Sequence, residues 1–259
     1  DPEISGQTVG DYVRSRGYGD DFLHLYLLPM SGAVWSASSR KMLEFPAATL
    51  LRFFHNHGFL GLDTQHPWRT VEGGSRAYVR KLTAPFQQSL VTNCPVVSIR
   101  RGGGKAELRF SDGSCQRFDR VILACHADQA LALLADATPL ERRLLAPFHY
   151  QRNDAVVHTD ASVMPKTRLA WASWNYRIQD SPRGDLRGST HYWMNSLQGV
   201  SDEVNYFVSL QAGNDIASDR VIRRMTYAHP LFDLGAISAQ TELPRLNQEA
   251  EGQTTFFCG

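Results

Sequence analysis

Two pairs of closely spaced residues carry side chains suited to a metal site or a nucleophilic site. His55 and His57 lie two positions apart in a stretch predicted to be helical. Their imidazoles then diverge by about 200°, so they are not expected to share a metal ion. Cys125 and His126 are neighbours at the end of a predicted strand, where adjacent side chains point to opposite faces. The sequence also has no Gly-x-Ser-x-Gly motif, and we predict neither a metal centre nor a cysteine or serine nucleophile.

The cysteines carry no pairing signal. Cys94, Cys115, Cys125 and Cys258 include no Cys-x-x-Cys pair, which is the usual spacing of a structural zinc site or a redox dithiol. Scattered thiols of this kind are typical of proteins of the reducing cytoplasm. We therefore expect a cytoplasmic protein.

Charge and hydropathy exclude several classes of protein. The 259 residues include 27 Lys and Arg and 26 Asp and Glu, which gives a formal net charge of +1 without a basic block. Nucleic acid is therefore not an expected partner. No apolar run approaches the length of about 18 residues that spans a membrane. The length suits one large domain or two small ones.

Helices are predicted in the first part of the chain. Thr8 is positioned to cap one helix, and the apolar pattern from Asp20 to Pro29 predicts a second, which Ser31-Gly32 is expected to end. A third helix is predicted over 46–57. A fourth follows the glycine turn Gly73-Gly74-Ser75.

A segment of different character follows. A strand is predicted at Val96–Ile99. The alternation of Ala106–Phe110 predicts a half-buried strand, and Asp112-Gly113 predicts a hairpin turn. The continuous apolar run Val121–Ala124 is typical of a central strand covered on both faces. Thr138-Pro139-Leu140-Glu141 is a capping box that begins a helix.

A second group of strands is predicted between residues 153 and 212. They are Ala155–His158, Ala170–Tyr176, Thr190–Asn195 and Tyr206–Leu210. We interpret His158-Thr159-Asp160 as the end of the first of them. Short helices are expected at Asp219–Met225 and Asp233–Gln240. The order of helices, meander, helices and a second sheet indicates two interleaved domains.

Several of these motifs together resemble one known family. The meander and strand of Pro95–Leu134 resemble the second flavin-domain segment of the flavin-containing amine oxidase superfamily, which includes phytoene-desaturase-like and protoporphyrinogen-oxidase-like enzymes. Gly73-Gly74-Ser75 resembles that family's GG element. A bacterial branch, often labelled predicted NAD/FAD-binding proteins and associated with cyclopropane-fatty-acid synthases, is similar in further motifs. These are Tyr26–Met30, Phe53–Gly58, Trp68–Ser75, Ala124–Ala130, Trp171–Tyr176 and Tyr192–Gln198.

The resemblance implies a fold class of α/β plus α+β. Part of an FAD/NAD(P)-binding, glutathione-reductase-like Rossmann domain would be interleaved with an amine-oxidase-type substrate domain. Residues 1–70 would be the helical part of the substrate domain and 146–252 its sheet part. Residues 71–145 would be the middle of the FAD-binding domain, and 253–259 the start of its C-terminal segment. The Gly-x-Gly-x-x-Gly fingerprint is absent, so we expect an internal segment of a longer protein.

The resemblance also implies FAD as the cofactor and assigns four residues to it. Val96 matches the position whose backbone meets the adenine. Ala124 matches the strand end beside the cofactor, where a small side chain permits close approach. Gly259 would begin the flavin-facing turn, and Trp68 would border the flavin. Ordinary strand or core packing is the alternative interpretation of Val96, Ala124 and Trp68.

The second sheet is expected to form the floor of a substrate cavity. Alternation along a strand puts Trp171, Ser173 and Asn175 on one face, and Tyr192 and Met194 on one face of their own strand. An aromatic, mostly uncharged cavity favours an apolar or lipid-like small molecule over a polar amine. A core filled with aromatic side chains is the alternative interpretation.

The resemblance implies an FAD-dependent oxidoreductase. Hydride would pass from a C–H bond of the substrate to flavin, giving a C=C or C=N product, and dioxygen or another acceptor would reoxidise the flavin. The bacterial branch adds lipid acyl chains as substrates, a functional association with a fatty-acid-modifying methyltransferase, and contact with a membrane surface if the substrate is a lipid. Two alternatives stay open: a noncatalytic module that binds a hydrophobic ligand, and a cofactor-free hydrolase, which the lack of a nucleophile–base pair disfavours.

Overall fold

The structure is a computed structural model that describes residues 4, 6–35, 37–61, 63–64, 66–67, 69–180, 186–248 and 253–258. It divides into two compact units that alternate along the chain. The first comprises Asp1–Leu82 and Tyr150–His229, and the second comprises Thr83–His149 and Pro230–Gly259. The assignment of these segments to a substrate domain and an FAD domain stays a prediction.

The first part of the chain is helical, as the sequence predicts. Thr8 begins α1 with a capping box, in which its hydroxyl accepts from the Asp11 N–H while the Asp11 carboxylate accepts from the Thr8 N–H. The helices are α1 (Val9–Arg16), α2 (Asp20–Phe22), the π-helical segment Leu23–Leu27, α3 (Leu28–Trp35), α4 (Ser39–Leu43), α5 (Ala47–Asn56), α6 (Ser75–Thr83) and a 3₁₀ segment, Ala84–Ser89.

The prediction that Ser31-Gly32 ends the second helix after Pro29 is wrong. The helix continues through Pro29 and Gly32 to Trp35. Directly before Pro29 the N–H of Leu28 donates to the carbonyl of Leu23, five residues back, which is the bond of a π turn. This wider turn lies beside a residue that has no N–H to donate, and the chain resumes α-helical geometry as α3.

The middle of the chain forms a hairpin meander, a short strand and two helices. These elements are β1 (Val96–Gly102), β2 (Lys105–Phe110), β3 (Cys115–Phe118), β4 (Val121–Leu123), α7 (Ala127–Leu133) and α8 (Pro139–Leu145). The three meander strands pair in the order β1-β2-β3, both pairs antiparallel. Ile99, Ala106, Leu108 and Leu123 share one buried core with α7. The predicted strands, hairpin turn and capping box are present. The prediction that the strand at Val121–Ala124 is covered on both faces is wrong for the described residues, because Ile122 is 66% exposed.

A five-stranded sheet follows, in the order β6-β7-β8-β5-β9. Its elements and the remainder of the chain are β5 (His149–His158), the 3₁₀ segments Ala161–Val163 and Arg168–Ala170, β6 (Trp174–Asp180), β7 (Leu186–Trp193), α9 (Met194–Gln198), β8 (Phe207–Leu210), the 3₁₀ segment Ser218–Arg220, β9 (Val221–Leu231), α10 (Leu234–Gln240), the 3₁₀ segment Leu243–Asn247 and β10 (Thr255–Phe257). The strand predicted from Ala170 begins four residues later, and the strand predicted to reach Asn195 ends at Trp193.

The predicted helix over Asp219–Met225 is wrong. Apart from one 3₁₀ turn, this segment belongs to β9, which occupies the edge of the sheet beside β5. The Thr159 N–H donates to the Arg220 carbonyl at 3.0 Å, and the Thr226 hydroxyl donates to the Asp154 carboxylate at 2.8 Å. Pairing with β5 therefore overrides the helix-like apolar spacing of the segment.

One glycine of the sheet has no room for a side chain. A Cβ added to Gly188 on β7 would overlap the phenol ring and hydroxyl of Tyr176 on β6. We expect Gly188→Ala to lower the free energy of unfolding by about 1–3 kcal/mol, because the phenol must move out of its packed position. Urea unfolding followed by tryptophan fluorescence measures the change.

The matched control is Gly19→Ala in the same unit, where an added Cβ meets no atom within 4 Å. It should change the free energy of unfolding by less than about 1 kcal/mol. Equal losses for the two variants would show that Tyr176 yields freely and that this close packing does not constrain the sheet.

No helix among the residues described is both long and apolar enough to cross a membrane.

Candidate functional site

Two short parallel strands of the second unit end side by side. β4 and β10 pair with Val121 opposite Thr255 and Leu123 opposite Phe257, and the Cys258 N–H donates to the Leu123 carbonyl at 2.9 Å. We call the carboxyl ends of these two strands the strand-end site. In open α/β sheets, ligands bind beyond the carboxyl ends of parallel strands, so this is the candidate cofactor-binding edge of the unit.

The residues after β4 are better suited to a ligand-binding site than to a nucleophilic site. Ala124 is exposed and adds only a methyl group there, whereas Cys125 is half-buried. Burial, with a smaller contribution from the negative charge of Asp128, raises the pKa of the Cys125 thiol. The thiol therefore stays protonated at neutral pH, and a thiol is a far weaker nucleophile than a thiolate.

The other predicted cofactor residues are less informative. Val96 begins β1, where it is half-buried and packs against the core of the meander. Trp68 and Gly259 lie outside the described residues. The predicted GG turn is present: Gly73 and Gly74 have φ angles of +75° and +72°, a backbone conformation that side chains disfavour. The cofactor roles of Val96, Ala124, Trp68 and Gly259 stay predictions.

Arg101 of β1 links the start of β10 to neighbouring elements of the second unit. Its guanidinium forms a bidentate ion pair with Glu141 of α8 and also donates to the Asp136 carboxylate, the Asp136 carbonyl and the Thr255 hydroxyl. All five N–H donors of the side chain are thereby used. One side chain links β1, the loop before α8, α8 and β10.

The charges of this cluster stabilise one another. Burial alone raises the pKa of Glu141, but the hydrogen bonds from Arg101 and Thr138 outweigh burial, and the net pKa lies below its usual value. The pKa of Asp136 is also lowered, because the hydrogen bonds from Arg101 outweigh burial. The hydrogen bonds to Glu141 raise the pKa of Arg101. The cluster is therefore fully charged at neutral pH.

In the first unit, two residues predicted to line a substrate cavity lie on opposite faces of the five-stranded sheet. Asn175 pairs with His191, whereas Tyr192 pairs with Trp174. Because directly opposed residues share a face and neighbours along a strand do not, Asn175 and Tyr192 face opposite ways. Tyr192 packs edge to face against Trp174, with ring centroids 5.6 Å apart.

Trp171 lies before β6, in the core on the Asn175 face. Its indole N–H donates to the Pro165 carbonyl at 2.8 Å, and its ring packs edge to face against Trp193 and Phe207. The Arg168 guanidinium lies 3.7 Å from the centre of the Trp171 ring, a cation–π contact. These contacts show a packed side chain.

The remaining cavity candidates hold local structure. The Ser173 hydroxyl lies 2.8 Å from the hydroxyl of Ser196, and Met194 begins α9. The side-chain amide of Asn175 accepts from the Ala172 N–H and donates to the Ala172 carbonyl. The cavity role of Trp171, Ser173, Asn175, Tyr192 and Met194 stays a prediction.

A buried chain of histidines and serines crosses the same sheet. Ser209 of β8 lies 2.7 Å from Nε2 of His158 on β5 and 2.7 Å from Nδ1 of His191 on β7, and Nε2 of His191 lies 2.9 Å from the Ser189 hydroxyl. All four side chains are at most 2% exposed. The alternation in the sequence puts Ser189 with His191, but it gives no sign that their face is buried.

One backbone N–H group determines which atom donates in each hydrogen bond of this histidine–serine network. The Asp160 N–H donates to Nδ1 of His158 at 3.1 Å, so His158 carries its proton on Nε2 and donates to Ser209. The Ser209 hydroxyl then donates to Nδ1 of His191, which donates through Nε2 to Ser189. Both imidazoles are neutral. A second proton on His158 would have to bind Nδ1, where it would face the Asp160 N–H, which is itself a donor.

The pKa values agree with this pattern. Burial, reinforced by repulsion from the protonated form of His158 and from the positive charge of Arg177, lowers the pKa of His191 to about 4. Burial also lowers the pKa of His158, partly opposed by the negative charge of Asp160. The described residues include no cluster of three metal-ligating side chains.

The sequence identifies the family. A family model described as flavin-containing amine oxidoreductase matches residues 4–205. The chain belongs to the flavin-containing amine oxidoreductase family. No curated protein matches the chain.

Solved structures of a fatty acid isomerase and of amine oxidases share the mixed α/β fold of this chain. A fatty acid isomerase from P. acnes that produces CLA is 14% identical with a TM-score of 0.59. Putrescine oxidase bound to putrescine is 10% identical with a TM-score of 0.62. Cyclohexylamine oxidase from Brevibacterium oxydans is 11% identical with a TM-score of 0.59. Each similarity covers 99% of this chain and 62% of the other, so the chain spans less than two thirds of these oxidases and the isomerase.

Proposed function

We propose that the protein containing this chain is an FAD-dependent oxidoreductase that removes hydride from a C–H bond of an apolar substrate. The observation that carries the proposal is family membership over residues 4–205. The parallel pairing of β4 with β10 supports it, because such strand ends bind dinucleotides in Rossmann domains.

The strand-end site suits one side of a flavin cofactor. Ala124 is small and exposed at the carboxyl end of β4, so a ligand can approach the backbone closely, and the Arg101 cluster fixes the position of β10 beside it. The 259 residues contain no Gly-x-Gly-x-x-Gly phosphate loop, and the pyrophosphate would be held by another part of the protein. FAD, when bound, supplies the hydride acceptor.

An apolar substrate, with lipid acyl chains as the preferred class, belongs to the same proposal. Its support is the resemblance of the sequence motifs to the bacterial branch and the fold similarity to a fatty acid isomerase. A functional association with a fatty-acid-modifying methyltransferase and a cytoplasmic location, peripheral to a membrane, are further parts of the proposal.

The first experiment is the visible absorption spectrum of the purified full-length protein. We expect the two bands of oxidised flavin, and reduction of the bound flavin on anaerobic mixing with the substrate would test the hydride transfer directly. A folded, colourless protein that also takes up no added FAD would contradict the proposal and favour a noncatalytic module that binds hydrophobic ligands.

A substitution at the strand-end site tests the placement of the cofactor. Ala124→Leu puts a bulky side chain at the carboxyl end of β4, and we expect the affinity of the full-length protein for FAD to fall at least about tenfold, which corresponds to roughly 1.4 kcal/mol. Fluorescence titration of the apoprotein with FAD measures it.

The matched control for this substitution is Ala132→Leu, an exposed position on α7 of the same unit. It should keep the affinity for FAD, and circular dichroism verifies that both variants are folded. Unchanged FAD affinity in Ala124→Leu would place the flavin elsewhere.

A further inference from the structure

The helical part of the first unit encloses an apolar cavity of about 240 Å³ between α1, α2, the π-helical segment, α5 and the turn after α5. Among the described residues that line it, no side chain carries a charge, and the only polar side-chain atoms are the hydroxyls of Tyr12, Tyr18 and Tyr26. Every lining residue belongs to the first unit. The inference below therefore does not depend on the proposed flavin chemistry.

The cavity has a buried floor and an open mouth. At the floor, Val9 is 1% exposed and Leu50 and Phe54 are 2% exposed, whereas at the mouth Tyr18 is 47% exposed and Tyr26 is 45% exposed. An occupant can bury an apolar part on the floor, but a polar group there would find no hydrogen-bond partner among the described floor residues, which is costly. A polar end is tolerated only at the mouth.

One wall of the cavity is a row of aromatic rings. Phe22 stacks on Tyr18 with ring centroids 5.0 Å apart, and Tyr26 lies 5.7 Å from Phe22. The wall includes the π-helical segment Leu23–Leu27, whose wider turn directs both Tyr26 and Leu27 toward the cavity. Single π turns are rare and occur frequently at functional sites.

We propose that this cavity binds the unbranched alkyl chain of a small amphiphile, with its terminal methyl group on the floor of Val9, Leu50 and Phe54 and its polar end at the tyrosines of the mouth. An apolar cavity of about 150 Å³ is known to bind benzene, so the present volume is sufficient for a longer hydrocarbon. A free molecule is favoured over a membrane surface because Asp20 and Asp21 adjoin Phe22 at the mouth and repel anionic lipid.

Linear alkanols of four to ten carbons, titrated calorimetrically into the full-length protein, test the proposal. Their heads are uncharged, so the affinity reports on the alkyl chain alone. We expect the affinity to rise about fourfold with each added methylene and to level off when the cavity is full. Absence of saturable binding, or affinity independent of chain length, would overturn the proposal. Binding to vesicles of neutral phosphatidylcholine without binding of alkanols would also overturn it and indicate membrane contact instead.

Two substitutions of opposite effect make the test specific to the cavity. Ala47→Leu fills part of it, and the plateau should move to shorter alkanols with a weaker maximal affinity. Leu50→Ala enlarges it, and the plateau should move to longer alkanols. The matched controls are Ala132→Leu and Leu169→Ala at exposed positions outside the cavity, which should leave the plateau in place. If either cavity variant fails to fold, the alkanol series on the unmodified full-length protein still decides. Plateaus that do not move in folded variants would place the ligand elsewhere.

Discussion

Replacing Arg101 by methionine is expected to lower the opening free energy of the second unit by about 3–5 kcal/mol, because the change leaves Glu141 charged, buried and without its partner. Glu141 is 5% exposed, and Arg101 supplies two of its hydrogen bonds. The variant also removes the bond that ties β10 to β1 through Thr255. Native-state hydrogen exchange at the Val121 and Cys258 amides, which bond between β4 and β10, measures the loss.

The control lies next to Arg101. Arg100→Met changes an exposed arginine on the same strand. It should change the opening free energy measured by hydrogen exchange by less than about 0.5 kcal/mol. Adding Glu141→Gln to Arg101→Met removes the stranded charge and should recover part of the loss. Arg101→Lys should resemble Arg101→Met more than the parent, because an ammonium cannot reproduce the bidentate pair. A loss below about 1 kcal/mol in Arg101→Met would contradict a central role for this cluster.

Acidification is expected to destabilise the first unit by about 3 kcal/mol through His191. The pKa of this imidazole is about 4 in the folded protein, against an ordinary value of 6.5, and each unit of difference is worth about 1.4 kcal/mol. Between these values the unfolded chain binds more protons than the folded one. The contribution is therefore complete above about pH 6.5 and is lost as the pH falls toward 4. His158 acts in the same direction.

Urea unfolding at a series of pH values, followed by tryptophan fluorescence, measures this effect. Trp171 and Trp193 pack in the same core as Phe207, which stacks on His158, so they report on the correct unit. His191→Gln should flatten the dependence between about pH 6.5 and 4. His66→Gln, at an exposed position, should leave it unchanged. The prediction is wrong if His191→Gln and the parent have equal slopes in this window.

The histidine network of the first unit and the carboxylate cluster of the second unit should lose their stabilising effect in different pH ranges. The lowered pKa values of Glu141 and Asp136 stabilise the second unit above the ordinary carboxylate range, and that stability is lost only as the pH falls below about 4.5. Loss in the first unit should therefore begin at a higher pH than loss in the second.

Local sequence signals were sufficient where one residue decides a local geometry. The Thr8 and Thr138 capping boxes begin the helices that they predict, because hydroxyl and carboxylate groups satisfy the free N–H groups of the first turn. The Asp112-Gly113 turn and the alternation in β2 predicted the meander, because Gly113 adopts the positive φ of +86° that the turn requires and a strand alternates between two faces. Apolar spacing failed at β9, where Ile222 is 56% exposed and pairing with a distant strand decides the structure.

The sequence by itself determined the family and the helices and strands that are set by their own residues. Only the tertiary structure decided which side chains meet. It joins Arg101 to Glu141, 40 residues away, and to Thr255, 154 residues away. It also lines up His158, His191 and Ser209 from three strands, and closes α1 and α5 around one cavity. The reason is that a periodic pattern specifies which face of an element is buried, whereas the partner of that face is chosen by packing of the whole unit.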